Sequence, residues 1–496
     1  MKAIYRSLLL VLGLTSCTND FEKINTSPIS PSKVPAEYLF SQALLTGTLA
    51  DGQNWLQVGS WVEHWASGSL AAPSQYQEDR DIYETTNWAN HYSLIKNLAQ
   101  IRNQVLKGQE NTADGRTKLA IARIFEIFLW QRMTDFWGDI PYTQAGLSEQ
   151  DLILTPKYDK QEDIYPALIT ELNTAMSRLN SQDISYASAD YIYKGSTTAW
   201  MKFGNALKLR LGMRLRYANP ELARKTVEEA LKGPIFESNT DNAAMPTVPR
   251  TGYTFGYHPV IGGYNSSKEL NQLAEPLVTK LLALNDPRLP IIAEPTENSK
   301  KAGAPVYRGL GVALGSGVTI NRNDYSYPSI ATFDVLNDTF PYLFLTYSDV
   351  CFYKAEAALL GWGGLTAAQA QTFYQAGIRA VMETKPYSLS SAVITDYLAK
   401  QGTLSGTDEQ QLEQIMTQKW LSLFMRSYEA YAEWRRTGYP KLTPGPNKGT
   451  TNGQIPRRAV YSGNERLRNA TEYQTAASRL ANGDTYLSKV WWDKKP

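Results

Sequence analysis

The residues able to do chemistry are few and thinly spread. His64, His91 and His258 are the only histidines and lie far apart, with no His-Glu-x-x-His pair to seat a zinc ion. No Gly-x-Ser-x-Gly elbow is present to present a nucleophilic serine. Gly309 to Gly317 (GLGVALGSG) is glycine-rich, but it lacks the lysine of a phosphate-binding loop and the spacing of a dinucleotide fingerprint, so it reads as an ordinary loop. Paired carboxylates for glycoside hydrolysis can come from anywhere in a chain and leave no local pattern. These residues predict no catalytic site, no metal centre and no cofactor, although a lone calcium on scattered carboxylates and carbonyls would leave no sequence trace.

Cys17 is a different case, because chemistry is done to it. Lys2 and Arg6 precede a short apolar run, Ser7 to Gly13, which is too short to span a bilayer and reads as a cleavable signal over 1–16. Leu14-Thr15-Ser16-Cys17 then resembles a lipobox, in which the thiol takes a diacylglycerol and small residues admit the peptidase. Several acyl chains on one cysteine hold to a membrane where one short chain would not. With Cys17 acylated, Cys351 has no partner for an intramolecular disulfide. Residues 17–35, punctuated by Pro28, Pro31 and Pro35, read as an extended lipidated tether.

Composition sets the remaining bounds. Hydrophobic residues are 43% and charged residues 20% of 496, a globular balance with ample core. The formal charge is +2, and loss of Lys2 and Arg6 with the signal leaves the mature chain neutral. No basic stripe stands out, which argues against a nucleic-acid partner. Tyrosine (30) and tryptophan (12) together far outnumber phenylalanine (14), so the aromatics favoured are those with a polar edge. Such rings suit sugars and peptides, and equally half-buried helix packing, which is the better reading for most of them singly.

The elements that would position these residues are mainly helical. Helices are expected at Ala36 to Leu49, Trp88 to Leu106, Asp163 to Leu179 and, apolar on nearly every side, Lys118 to Phe136, which stops at Gly138-Asp139-Ile140-Pro141. Ala199 to Lys232 and Tyr347 to Met382 each read as helix, turn, helix, about the length of a tetratricopeptide repeat. Leu412 to Arg436 reads as one long helix. Ser67 to Gln77 is loop-like, and residues 236–340 form a long irregular insertion rich in Gly, Pro, Asn and Tyr, helical only over Glu269 to Leu284.

Five segments in order carry a family resemblance. They are Asn25-Thr26-Ser27-Pro28; Phe136-Trp137-Gly138-Asp139-Ile140-Pro141-Tyr142, with Trp137 inserted between Phe and Gly; and Tyr353-Lys354-Ala355-Glu356-Ala357. Glu429 to Pro440 (EAYAEWRRTGYP) follows, and then Ile455-Pro456-Arg457-Arg458 with the terminal Trp491-Trp492-Asp493. Together they resemble the SusD/RagB family of surface nutrient-binding lipoproteins, and its SusD-like subgroup in particular. Ser462-Gly463 stands where relatives often carry Tyr-Pro, and Ser27 and Ile29 replace more usual asparagines.

The resemblance implies a mostly α fold, a scaffold of tetratricopeptide-like hairpins over 36–496 interrupted by the 236–340 insertion. It implies a non-catalytic lid on a TonB-dependent, SusC-like transporter at the extracellular face of the outer membrane, taking oligosaccharides or, in some members, peptides; a surface glycoside hydrolase is the remaining alternative. Thr18-Asn19-Asp20-Phe21-Glu22 weakly resembles a surface-export signal. Ligand-binding candidates are the loop aromatics Trp65, Tyr76, Tyr253, Tyr257, Tyr264 and Tyr325. Trp434, Trp491 and Trp492 read instead as core, and Glu356 as a buried partner of Arg435 or Arg436.

Overall fold

The computed structural model describes residues 34–53, 55–67, 72–146, 151–246, 271–315, 317–329, 331–332 and 341–495. The signal, Cys17 and most of the tether lie outside them, as do His258, Tyr253, Tyr257 and Tyr264. No described helix is long and apolar enough to cross a membrane.

Helices dominate. Those that frame the core are α1 (Ala36–Gln53), α2 (Thr85–Gln100), α3 (Arg116–Trp137), α4 (Gln161–Ser177), α5 (Thr197–Arg214), α6 (Pro220–Lys232), α7 (Glu275–Ala283), α8 (Tyr347–Leu359), α9 (Ala367–Glu383), α10 (Ser391–Gln401), α11 (Asp408–Ser422) and α12 (Ser427–Thr437), with shorter helices at Leu289–Ile292, Glu297–Lys301, Gly463–Arg468 and Ala470–Ser478. Two antiparallel pairs of short strands join distant segments: β1 (Trp65–Ser67) with β3 (Asn271–Leu273), and β2 (Ala243–Met245) with β4 (Tyr342–Leu345).

The helix α3 is buried on nearly every side, as its unbroken apolar character requires. It ends because Gly138 takes φ 86°, which a side chain would resist, and returns its N–H to Thr134 at 2.8 Å. Asp139 then accepts the Gln161 N–H at 2.8 Å, so one turn both stops α3 and starts α4.

Both expected hairpins form. In the first, Asn219 caps α6 by accepting the Leu222 N–H at 3.1 Å, with Pro220 at the first helical position. In the second, Thr346 and Asp349 form a capping box at the start of α8. There α9 packs so closely on α8 that a Cβ on Gly377 would lie 2.9 Å from the Phe352 ring.

One expected helix is two. Leu412 to Arg436 breaks between Ser422 and Ser427, where Met425 adopts φ 73°. The break turns Arg426 inward, where its guanidinium meets Asp349 with two bonds, 2.6 and 3.0 Å long. Burial alone would push the Asp349 carboxyl up, but Arg426 holds it at about 2. The same acid therefore caps α8 and locks the α11–α12 joint.

Around α12 the core is ionic. Arg436 binds Glu356 through both oxygens at 2.6 Å and Glu433 at 2.8 Å. Arg214 binds Glu433 at 2.6 Å and Glu429 at 2.8 Å, and Lys419 reaches Glu433 at 3.0 Å. Of the two arginines expected beside Glu356, Arg436 is the partner; Arg435 lies over the rings of Tyr431 (3.9 Å) and Trp492 (4.8 Å). Trp434 and Trp492 are buried and Trp491 packs partly buried on the core, as expected.

Candidate functional site

The loops converge on a small satellite core. Ala66 of β1, Ala274, Leu310 and Val312 form it, and Leu314, Ile320 and Tyr325 pack against its outer side. The β1–β3 register explains the meeting: Trp65 faces Leu273 and Ser67 faces Asn271, so the early loop and the insertion run from one end of a single two-stranded ribbon. A third segment joins them. Gln75 accepts the Gly315 N–H at 2.7 Å, Asn447 donates its side-chain amide to the Gln75 carbonyl at 2.9 Å, and the Asn447 N–H reaches Ala313 O at 2.9 Å.

Tyr325 is the candidate that the structure leaves half-exposed. Arg308, exposed, lies over its ring at 5.1 Å. Two backbone contacts fix this pair: Arg308 donates its N–H to the Ser326 hydroxyl at 3.0 Å, and Ser326 donates its N–H to Arg308 O at 2.7 Å. A guanidinium stacked beside a tyrosine offers five donors next to a flat apolar face, a pairing suited to ring hydroxyls or carbonyls. Arg308 was not among the sequence candidates, because nothing at its position signals that it pairs with a residue 17 places on.

Trp65 and Tyr76 are placed otherwise than expected. Trp65 is buried and stacked on Phe424 at 5.2 Å, and Tyr76 is buried with its hydroxyl accepting the Gly445 N–H at 3.3 Å. Both belong to the floor under the loops and have no free ring face. Of the loop expected over Ser67 to Gln77, Ser67 ends β1, residues 68–71 lie outside the described residues, and the short turn Ala72–Gln75 folds inward under residues 445–450, which close over it. Tyr253, Tyr257 and Tyr264 lie outside the described residues.

Beneath this face sits Glu63, buried, with a left-handed φ of 58°. Burial pushes its carboxyl up to about 8, with a backbone hydrogen bond from Thr443 pulling the other way. The folded state thus prefers the neutral acid. Its stability is complete below pH 4.5 and declines as pH rises toward 8. Glu63→Gln should therefore stabilise the protein by about 1–3 kcal/mol at pH 8 and by nothing near pH 4.5. Denaturant titrations at the two pH values check this; an equal effect at both would contradict it.

The two described histidines are structural. Burial pushes His64 and His91 down to about 3, and each neutral ring donates to a carbonyl, Trp420 O at 3.1 Å and Asn87 O at 2.8 Å. Among the described residues no group of three or more His, Cys, Asp or Glu is placed to hold a metal ion. A separate groove of about 660 Å³ runs beside α2, lined by Tyr92, Gln100, Gln104, Gln144 and Leu154 among others.

Comparison with known proteins decides the family. Residues 28–462 match the SusD-like family described as starch-binding and associating with the outer membrane. The chain belongs to the SusD-like family. A solved chitin-binding protein is 30% identical, with a TM-score of 0.80 over 93% of this chain and 100% of its own. A chitin-binding SusD homolog from Flavobacterium johnsoniae is 25% identical, with a TM-score of 0.76 over 92% of this chain and 98% of that one. A SusD homolog from Bacteroides uniformis, 25% identical, gives 0.75 over 92% and 100%. No curated protein matches the sequence. The SusD-like assignment accords with the helical hairpin scaffold and with the order of the five sequence segments.

Proposed function

We propose that this SusD-like protein is a non-catalytic binder of oligosaccharides at the cell surface, which passes its ligand to a TonB-dependent SusC-like transporter in the outer membrane. The observation that carries the reading is the end-to-end likeness, at 30% identity, to a protein that binds chitin. Anchoring is through lipid on Cys17 after removal of residues 1–16, with 17–35 as tether and 36–496 as the folded body on the extracellular face. The Arg308–Tyr325 pair is the proposed contact for a sugar ring, one face stacking and the guanidinium reading hydroxyls.

Calorimetry with chitin and starch oligosaccharides and with a peptide mixture tests this. Arg308→Ala with Tyr325→Ala should weaken oligosaccharide binding at least tenfold, about 1.4 kcal/mol, while the protein stays folded with a modestly lower unfolding midpoint. Unchanged affinity would remove the pair from the site; loss confined to Gln100→Ala with Gln104→Ala would move the ligand to the α2 groove. Binding of peptides alone would replace the glycan reading. Release of shortened sugars on incubation would make the protein a hydrolase. Metabolic labelling with palmitate should mark the wild type and spare Cys17→Ala.

A further inference from the structure

Between α3, α5 and α12 lies a cavity of about 30 Å³, room for one or two water-sized particles. Gln131, Asp135, Arg132, Arg210, Glu429 and Arg435 are among its walls. Arg210 is 4% exposed, and its Nε and Nη2 have no hydrogen-bond partner among the described residues. The reason is competition for the acids. Asp349 lies 3.8 Å from Arg210 but 2.6 Å from Arg426, and Glu429 lies 3.5 Å away but 2.8 Å from Arg214.

The surrounding charges do not balance. Arg210, Arg214, Lys419, Arg426, Arg435 and Arg436 face Asp135, Asp349, Glu356, Glu429 and Glu433, with Arg132 adding a further cation at the rim. Arg435 does not relieve the excess, since it gives its N–H groups to the Tyr431 and Arg457 carbonyls. Asp135 offers little to Arg210, because it already accepts from Tyr165 and, at 2.8 Å, from Trp492, and burial pushes its carboxyl up. A buried guanidinium whose ion contacts are 3.5 and 3.8 Å long is poorly compensated, and a small counter-ion relieves it better than a neutral water.

We propose that this cavity is a binding site for one small monovalent anion of the halide class, held by Nε and Nη2 of Arg210, which lack a hydrogen-bond acceptor among the described residues. The ion neutralises the α3–α5–α12 junction. Gln131 stands at the same cavity, its amide beside the Tyr165 hydroxyl, so a carboxylate introduced there would take the place of the ion.

Bromide provides the test. Crystals of the mature chain grown in bromide should show an anomalous peak within hydrogen-bonding distance of the Arg210 guanidinium. In solution, the unfolding midpoint should rise by a few degrees and saturate when gluconate is exchanged for chloride at constant ionic strength. Gln131→Glu should abolish that dependence. Water density without an anomalous peak overturns the proposal, as does the same chloride dependence in Gln131→Glu and wild type. Should that variant fail to fold, the bromide map of the wild type decides alone.

Discussion

Arg436→Ala is expected to destabilise the protein by about 3–5 kcal/mol, because it takes from buried Glu356 its two-oxygen partner and from buried Glu433 one of its three cations. The side chain is fully buried, and it holds both oxygens of Glu356 as well as Glu433. Among the described residues Glu356 then keeps the ion pair with Arg216, at 2.7 Å. Burial by itself would raise the Glu356 carboxyl, and Arg436 leads the cations that keep it below the usual carboxylate range. A lowered acid supplies stability above its unfolded value that is lost as pH falls, so acid should weaken the wild type below about pH 4.5 and weaken Arg436→Ala less steeply. Denaturant unfolding at pH 7 and pH 4 measures both effects. Removing both charges, as Glu356→Met with Arg436→Met, should cost less than the sum of the single changes. A single-variant loss below about 1 kcal/mol would show that the pair is dispensable.

The second large effect is at Trp137, the residue inserted into the Phe-Gly-Asp-x-Pro segment. Trp137→Ala should cost about 3–5 kcal/mol, the range for deleting a large ring from a packed core. The ring is wholly buried and meets His91 at 4.9 Å, Trp88 at 5.2 Å and Phe136 at 4.8 Å, mostly edge to face. Its indole N–H donates to Val460 O at 3.2 Å, so truncation also leaves a buried carbonyl unpaired. Trp137→Phe should recover more than half of the loss, since it refills most of the space and omits only the donor. Equal losses for the two variants would assign the effect to the hydrogen bond alone. Guanidinium unfolding followed by near-ultraviolet circular dichroism reads both.

The helices were legible where one physical signal dominated. The all-round apolar run of α3 and the Asn219-Pro220 turn both fell within a few residues of expectation. The break at Met425 was not, since apolar periodicity continues through Leu423 and Phe424 and only the distant acid Asp349 gives Arg426 a reason to turn inward. The site was less legible for a related reason. Loop position suggests exposed aromatics, but Trp65 is covered by Phe424 and Tyr76 by residues 445–450, contacts separated by more than 350 residues. Arg308 escaped notice because its meaning depends on a backbone pairing with Ser326 that no local pattern encodes.

The short ribbon of β1 and β3 carries a consequence for redesign. Because Ser67 and Asn271 are register partners, the early loop and the insertion share one anchor point. Grafting either loop alone from a relative would set a foreign segment against a resident one across that anchor. Specificity in this scaffold should therefore transplant as a matched pair of segments, with the strand residues at their roots moved along with them.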